Sequence, residues 1–555
     1  MGTSYSHIKI TEKQAALIAS DLFGIPGKAV SLPGELDFNF RIDSENERFL
    51  LKVSRPDTDL EYLGFQEEIL QYVAKNGLDI ESPVPQADLQ GNYISEFTEP
   101  SGHARKVRML TWTHGRLWSS VNPINDHLLF SLGEQAGRLT TALQGFEHPL
   151  ARRYFEWDVA QAGWTREYTH LFTKDKLDIA TYFLDLFDEI QESYSKLRKS
   201  VVHNDANDNN VVVSEELVNP RVKAIIDYGD AIHTQVINDL AIAIAYAVMD
   251  KPDVLSAALP LVKGYHSTFP LLEEELEVLY PLVAMRLLIS VTKSALNRQA
   301  EPDNEYLLIS EAPAWEVLEK WKQVRKDFAH YSFRFACGYS AHLRKAAFSL
   351  WASKHPAKLA SLFPSLGREN VHPLDLSVSS TLIGDRDMAN DLELFQFKMD
   401  RLQAAVPDKI IAGGYLEPRA LYTSEAYDRM GNSGKESRTV HLGIDFWIPV
   451  GTPVHALFEG ELVTAVNDEG DKEYGGLIIL KHREDGLEFY TLYGHQSIDS
   501  VTRWKPGDKI SKGKEISRIG NYPENGNWAP HLHFQIMLSL LAYENDFPGV
   551  AYPTE

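Results

Sequence analysis

The octet HNDANDNN at residues 203–210 decides how the first half of this chain is read. Its pattern H-x-D-x-x-x-x-N sets Asp205 five residues before Asn210 in one loop, so one side chain can face an acceptor hydroxyl while the other faces a metal. The loop is followed by two short apolar runs, NVVVS (210–214) and VKAIID (222–227), which read as strands with polar residues at one end. Asp227 therefore stands at a strand end, where a carboxylate can bridge Mg²⁺ to the β and γ phosphates of a nucleotide. Upstream, RFLLKVS (48–54) centres Lys52 on an expected strand, within reach of the α and β phosphates, and LPGELDFNF (32–40) offers Gly34 for a phosphate-covering turn. An Asp and an Asn in a loop usually make only turns. A base, a phosphate lysine and hard oxygen ligands in this order form the set that phosphoryl transfer requires.

The surrounding pattern gives the organisation. From about residue 28, AVSLPGELDFNFRIDSENERFLLKVS alternates in short apolar runs about a Ser-Glu-Asn-Glu turn, a β-hairpin signal. DLEYLGFQEEILQYVAKNG (59–77) predicts a helix closed by Gly77. GNYISEF and ARKVRMLTW have strand character, and the chain is helical from about 124 to 200 and again from 236 to about 360. A small sheet-rich lobe followed by a larger helical lobe is the expected order. Residues 361–420, with MANDLELFQFKMDRLQAAV (388–406), read as a connector carrying one helix. Between 440 and 540 short strands alternate with PVGTP, DEGDKEYGG and KPGDKISKGK, an all-β signature, and Asp485-Gly486 predicts a tight hairpin turn.

The motifs of the first half resemble the aminoglycoside and choline phosphotransferase superfamily over about residues 10–345. The resemblance implies a bilobal, protein-kinase-like α+β fold that uses ATP and Mg²⁺. On matching positions it implies Asp205 as catalytic base, Asn210 and Asp227 as magnesium ligands, Lys52 as phosphate clamp and His203 as a loop-ordering residue. It further implies MLTW (109–112), with Leu110 and Trp112, as the adenine hinge, and Asp239 as a structural acid. Asn204 stands where glycine is usual, and a full G-x-G-x-x-G is missing. The acid that pairs the lysine is open between Gln66, Glu67 and Glu68, with Gln66 at least as plausibly inward as either glutamate. DAND (205–208) with NVVV, and AHYSFRFACGY (329–339), are closer to the hydroxylysine and homoserine kinase-like branch, which implies a small hydroxylated amine or amino acid as acceptor. Trp157, Trp164 and Tyr168 could hold a cationic substrate, although aromatic residues at such positions are more often core.

A second constellation lies in the β-rich part. HLGIDFW (441–447) places His441 and Asp445 four residues apart, HLHF (531–534) sets His531 and His533 on one side of a strand, and LYGHQS adds His495 at a hairpin end. Zinc accepts three such ligands and leaves a fourth position open when it serves hydrolysis. Together with PVGTPVHALFEGEL, GGLIILKH and KPGDKISKGKEISRIG, these segments resemble the lysostaphin-type zinc endopeptidases and their all-β duplicated hybrid motif over about 425–540. The resemblance implies His441, Asp445 and His533 as Zn²⁺ ligands, with His495 and His531 acting on water or on the tetrahedral oxyanion. NWAP (527–530) replaces the Gly- and Ser-rich approach usual before H-x-H.

The expected architecture is thus a multidomain chain: a small-molecule kinase at 1–345, a helical linker at 346–424 and a zinc metallopeptidase-like β domain at 425–545. At 555 residues the chain is too long for one ordinary core. A net charge of −23 argues against nucleic-acid or anionic-membrane partners. One cysteine, Cys337, and no evident signal sequence point to a reducing cytoplasm. Expected partners are the small hydroxy-amine or hydroxy amino acid, together with peptides or cell-wall fragments. Two other readings stay open: a kinase carrying a non-catalytic zinc scaffold, and a cell-wall peptide hydrolase with a vestigial kinase lobe. The two-domain order also resembles the front part of larger fusions that continue into a class III, pyridoxal-phosphate aminotransferase-like domain.

Overall fold

The computed structural model describes residues 10–34, 37–77, 80–99, 102–300, 311–382, 384, 386–422 and 425–555. The chain divides into two compact units, Met1–Tyr339 and Ser340–Glu555.

The first unit opens with α1 (Glu12–Phe23), whose N-terminus is closed by a reciprocal capping box between Thr11 and Gln14. Strands β1 (Lys28–Leu32), β2 (Phe38–Asp43) and β3 (Arg48–Val53) then form an antiparallel meander. The predicted turn closes where Ser44 N–H donates to the Glu47 carbonyl at 3.0 Å. The helix expected next is α2 (Leu60–Asn76), capped by the Asp59 carboxylate and ended at Gly77. Strands β4 (Pro85–Gln86), β5 (Ser95–Thr98) and β6 (Ala104–Thr111) complete a six-stranded sheet in which β6 pairs with β3. Phe40, Ile42, Leu51 and Val107 on its inner face meet Ala15, Ile18 and Ala19 of α1. Removing such side chains from water, at roughly 25 cal/mol per Å², is what seats α1 on the sheet.

The helical lobe is built around Ile237–Ala247, buried at nearly every position, and Glu273–Ala300. The latter is long and apolar enough to cross a membrane by length and composition, but 89% of its most apolar window is buried inside the fold, as in a core helix. Cys337 is buried too, and burial pushes its thiol up to about 12, which suits an inert core residue. The 203–210 loop hangs between strands Lys199–Val202 and Val211–Val213. The first pairs with Ile232–Gln235 and the second with Val222–Ile225, so both ends of the loop are pinned.

In the second unit an eight-stranded sheet runs in the order Asn370–Pro373, Lys409–Gly413, Ile444–Trp447, Leu532–Met537, Leu487–Gln496, Gly475–Glu484, Gly460–Asp468, Lys509–Ile510. The expected tight hairpin is present, with Asp485 at φ 50° and Gly486 at φ 79°. The stretch read as a connector, 346–424, is built into this unit. Asn370–Pro373 and Lys409–Gly413 are the first two strands of the sheet, and Trp351, Leu362 and Phe363 lie in its core. An apolar run as short as Ile410–Ala412 carries no period of its own; the neighbouring strand Ile444–Trp447 supplies the ladder that makes it extended.

Candidate active sites

In the first unit the sequence motif becomes a clamped loop. The Asp239 carboxylate accepts the backbone N–H groups of His203, at 3.1 Å, and Asn204, at 2.7 Å. Burial raises the Asp239 carboxyl to about 6, and those two bonds pull against it. Asn204 takes φ 67°, the left-handed conformation that glycine adopts freely and asparagine tolerates, which explains how it can replace the usual glycine. His203 Nδ1 accepts the Asp205 N–H at 3.2 Å, so the proton sits on Nε2 and is donated to the Ile226 carbonyl at 3.0 Å. Burial drives the imidazole down to about 4, so His203 orders the loop as a neutral ring.

Asp205 is held from two sides. Its Oδ2 accepts from Asn207 Nδ2 at 2.9 Å and from Asn210 Nδ2 at 2.7 Å, while Oδ1 accepts from Arg286 Nη2 at 2.7 Å. Each carboxylate oxygen offers two lone pairs. Oδ2 is saturated, and Oδ1 keeps one lone pair for a further donor. Burial and the carboxylates of Asp230 and Asp227 push Asp205 up to about 8, against the pull of Arg286. Arg286 is itself fixed by the Trp157 carbonyl at 3.0 Å and the Tyr246 hydroxyl at 3.3 Å, and it stacks 4.8 Å from the Trp157 ring.

Asp227, at φ 64°, faces Lys52 Nζ at 3.8 Å, and the lysine charge holds its carboxyl below the ordinary range. Half of the Asp227 side chain is exposed, so its oxygens stay available to a cation. Lys52 also approaches Asp37 at 4.0 Å. The lysine-pairing question has a different outcome from the one expected, because Arg108, opposite Lys52 in the β3–β6 register, collects the helix residues. Its Nη1 donates to Gln66 at 2.7 Å and to Glu67 at 3.4 Å, and its Nη2 to Asp37 at 3.2 Å. Gln66 and Glu67 are buried, while Glu68 is exposed and reaches His148 at 3.8 Å. Gly34 is exposed beyond β1, where a Cβ would strike Asn39 Nδ2 at 2.4 Å; the next two turn residues, 35 and 36, lie outside the described residues. Leu110 is buried in β6, and the Trp112 backbone N–H just beyond it donates to the Arg48 carbonyl at 3.1 Å.

In the second unit the two halves of the histidine pattern meet because Ile444–Trp447 and Leu532–Met537 pair in a register that sets Asp445 opposite His533. His441 Nε2, His533 Nδ1 and Asp445 Oδ1 converge: the two nitrogens are 2.9 Å apart, and they lie 3.2 and 3.3 Å from the carboxylate oxygen. The outer atoms fix the tautomers. His441 Nδ1 donates to the Gly414 carbonyl at 2.9 Å, and His533 Nε2 donates to Gln535 Oε1 at 3.2 Å. Both facing nitrogens therefore present lone pairs, and among the described residues buried Asp445 Oδ1 has no hydrogen-bond partner. Lone pairs crowded this closely repel one another unless a cation lies between them, so this donor set fits a divalent metal. Arg419 Nη1, at 2.6 Å, takes the other oxygen of Asp445. Burial opposes the Asp445 charge, yet His441 and Arg419 hold the carboxyl well below its ordinary value. Burial holds His441 down near 4. Gly443 of HLGID is dictated by this packing, because a Cβ there would lie 2.5 Å from His533 Nε2.

His495 and His531 flank the cluster with their rings 4.2 Å apart. His495 Nδ1 donates to the Asn525 carbonyl at 2.9 Å and His531 Nδ1 to the Ala529 carbonyl at 2.7 Å, so both keep Nε2 unprotonated and inward. Burial pushes His531 down to about 4 and holds His495 well below its ordinary value. Trp447 stacks on His531 at 4.4 Å, and Tyr422, Tyr427 and Trp528 line the cavity above the cluster. Arg286, Arg108, Asp37 and Arg419 were absent from the sequence-derived set. The signal for the two arginines of the first unit was a lone charge inside an apolar run, MRLL at 285–288 and VRML at 107–110.

Comparison with known proteins agrees with this division. The family model described as "Phosphotransferase enzyme family" matches residues 28–275, and that of "Peptidase family M23" matches residues 439–544. Hydroxylysine kinase of Danio rerio is 27% identical over 340 residues, covering 59% of this chain and 96% of that protein. Glycyl-glycine endopeptidase ALE-1 of Staphylococcus capitis is 37% identical over 97 residues, and lysostaphin of Staphylococcus simulans 35% over 100. Those two matches each cover 18% of this chain and only 24% and 18% of the respective proteins. The chain thus joins a hydroxylysine kinase-like domain of the phosphotransferase enzyme family to a lysostaphin-type domain of peptidase family M23.

Proposed function

We propose that the first unit transfers the γ-phosphoryl group of ATP to the hydroxyl of a small hydroxylated amine or amino acid, and that the second hydrolyses peptides with zinc, both in the cytoplasm. The observation that carries the kinase reading is the single open lone pair on Asp205 Oδ1, in a carboxylate whose three other contacts fix its orientation. The acceptor hydroxyl donates to that lone pair, and Asp205 takes its proton as the oxygen attacks the γ phosphorus and the bond from that phosphorus to the β–γ bridging oxygen breaks, releasing ADP. Lys52 steadies the α and β phosphates. Asn210 and Asp227 would hold Mg²⁺, which supplies charge neutralisation on the phosphates when bound. Acceptor-dependent ATP consumption by the full chain, over a panel of hydroxy-amines and hydroxy amino acids, tests this reading; no turnover with any acceptor by a folded protein would refute it.

Asp227→Ala is expected to act on the nucleotide. With Lys52 left beside Asp37 alone, Mg²⁺-dependent ATP binding should weaken by about tenfold or more, since a lost charge-assisted contact is worth roughly 1.5–3 kcal/mol. Calorimetric titration of ATP with and without Mg²⁺ checks it, and unchanged ATP affinity with Mg²⁺ present would remove Asp227 from this role.

In the second unit His441, Asp445 and His533 would hold Zn²⁺, which supplies water activation and carbonyl polarisation when bound. His495 and His531, each with an inward unprotonated Nε2, accept and return the proton at the scissile bond. Gly443→Ala is expected to displace His533 and weaken zinc binding by about 10–100-fold, the range seen when groups that orient metal ligands are disturbed. Competition with a chromogenic chelator reads that change directly. One observation favours a second reading, a zinc-stabilised scaffold: His495 and His531 are only 5% and 4% exposed beneath the aromatic residues above them. Hydrolysis of glycine-rich and cell-wall peptides by the wild type separates the two.

A further inference from the structure

We propose that the acceptor site of the kinase unit contains a subsite for the zwitterionic head of an amino acid, formed by Lys293 and Glu156 over Trp164. This inference rests on the kinase reading above and narrows its substrate class from hydroxy-amines in general to hydroxy amino acids. The helix Glu273–Ala300 carries Arg286, which holds the base, and seven residues later Lys293. Seven residues are close to two full turns, so the two cations share a face and stand roughly 10 Å apart along it. Consecutive residues of one segment meet them: the Trp157 carbonyl accepts from Arg286, and the Glu156 carboxylate pairs with Lys293. Trp164 completes the far end, with Lys293 Nζ 5.1 Å from its ring and its own Nε1–H donated to the Glu156 carbonyl at 2.9 Å.

The two ends differ in accessibility. Arg286 is buried and its donors are committed to Trp157, Tyr246 and Asp205. The side chains of Lys293 and Glu156 are 22% and 48% exposed, and an ion pair so open to water is weak and readily exchanged. An amino acid brings both complements: its carboxylate replaces Glu156 at Lys293, and its ammonium replaces Lys293 at Glu156. A hydroxy-amine brings only the second and leaves Lys293 without a counter-charge. The separation from Asp205 also selects acceptors whose hydroxyl lies several carbons from the α-carbon. Trp157 and Trp164 each already present a ring face to a protein cation, so charge, rather than an open aromatic cage, sets this end of the site.

The test compares two acceptors with the full chain: hydroxylysine, and the hydroxy-diamine left when its carboxyl group is removed. Lys293→Met keeps the apolar stem over Trp164 and deletes the charge. It is expected to raise KM for hydroxylysine by about 10–100-fold, the loss of one charge-assisted contact, with kcat within about threefold and KM for the hydroxy-diamine unchanged or lower. Glu156→Gln, which removes the ammonium partner shared by both acceptors, is expected to raise KM for both. Equal effects of Lys293→Met on the two acceptors, or no effect on either, would overturn the subsite while leaving the kinase intact. Turnover of neither acceptor by the wild type would instead overturn the kinase reading on which the subsite rests. If Lys293→Met does not fold, Lys293→Arg decides: retained preference for hydroxylysine supports the charge, and lost preference in a folded protein refutes it.

Discussion

Asp205→Asn is expected to lower kcat for acceptor-dependent ATP consumption by about 10²–10⁴, the usual contribution of a positioned general base, while ATP binding and metal content of the second unit stay at wild-type values. The substitution preserves size but not the bonding pattern. Wild-type Asp205 accepts three donors, from Asn207, Asn210 and Arg286, and offers a fourth site to the substrate. An amide has one oxygen to answer them, so its NH₂ must turn either toward the two asparagine amides or toward Arg286, donor against donor. The loss therefore combines a missing base with a side chain turned in its socket. Asp205→Ala removes the base and all three contacts together, so comparing the two variants separates loss of the carboxylate from the presence of a misplaced amide. The backbone of the loop is fixed independently by Asp239 and His203, so thermal unfolding of either variant should remain cooperative, at a midpoint lowered by the buried Arg286 left without its carboxylate. Retention of kcat within about threefold in both would show that positioning and electrostatics alone drive the transfer, and would remove Asp205 as the base.

Much of this geometry was legible in the sequence because it depends on local spacing. Asp205 and Asn210 meet across five residues of one loop, and His531 stands just before the strand Leu532–Met537 that carries His533; both depend on short separations along the chain. The Asp485-Gly486 turn could be read for the same reason, since few dipeptides adopt two successive positive φ angles. What could not be read is long-range pairing. Arg286 lies 81 residues from Asp205, and Arg108 lies 41 and 42 residues from Glu67 and Gln66. Nothing in either segment names its partner. The sequence left the inward side of α2 open among Gln66, Glu67 and Glu68; Gln66 and Glu67 are the buried ones, and the cation they meet comes from β6 rather than from Lys52, because strand register brings Arg108 to that position. The connector at 346–424 failed as a reading for a related reason: Asn370–Pro373 and Lys409–Gly413 are strands only through the neighbours that complete their ladders.

His441→Ala is expected to abolish zinc retention and, with it, peptide hydrolysis, while acceptor-dependent ATP consumption stays unchanged. The affinity loss should exceed the 10–100-fold or so that outlying partners cost, because one of three donors is gone. Stability gives the more telling readout. Without metal, His441 Nε2 and His533 Nδ1 direct lone pairs at each other across 2.9 Å beside the unpartnered Asp445 Oδ1. Removing one imidazole relieves that repulsion, so metal-free His441→Ala should unfold no more easily than metal-free wild type, a departure from the usual cost of truncating a buried side chain. Zinc reverses the order: a ligand that binds only the folded state at about 100 times its Kd adds roughly 2.7 kcal/mol to the wild type and next to nothing to the variant. Thermal unfolding of both proteins, chelated and zinc-loaded, therefore yields four curves in which only wild type with zinc stands apart. If instead the chelated variant is the least stable of the four, the three side chains form an ordinary packed polar cluster and the metal reading of the second unit fails.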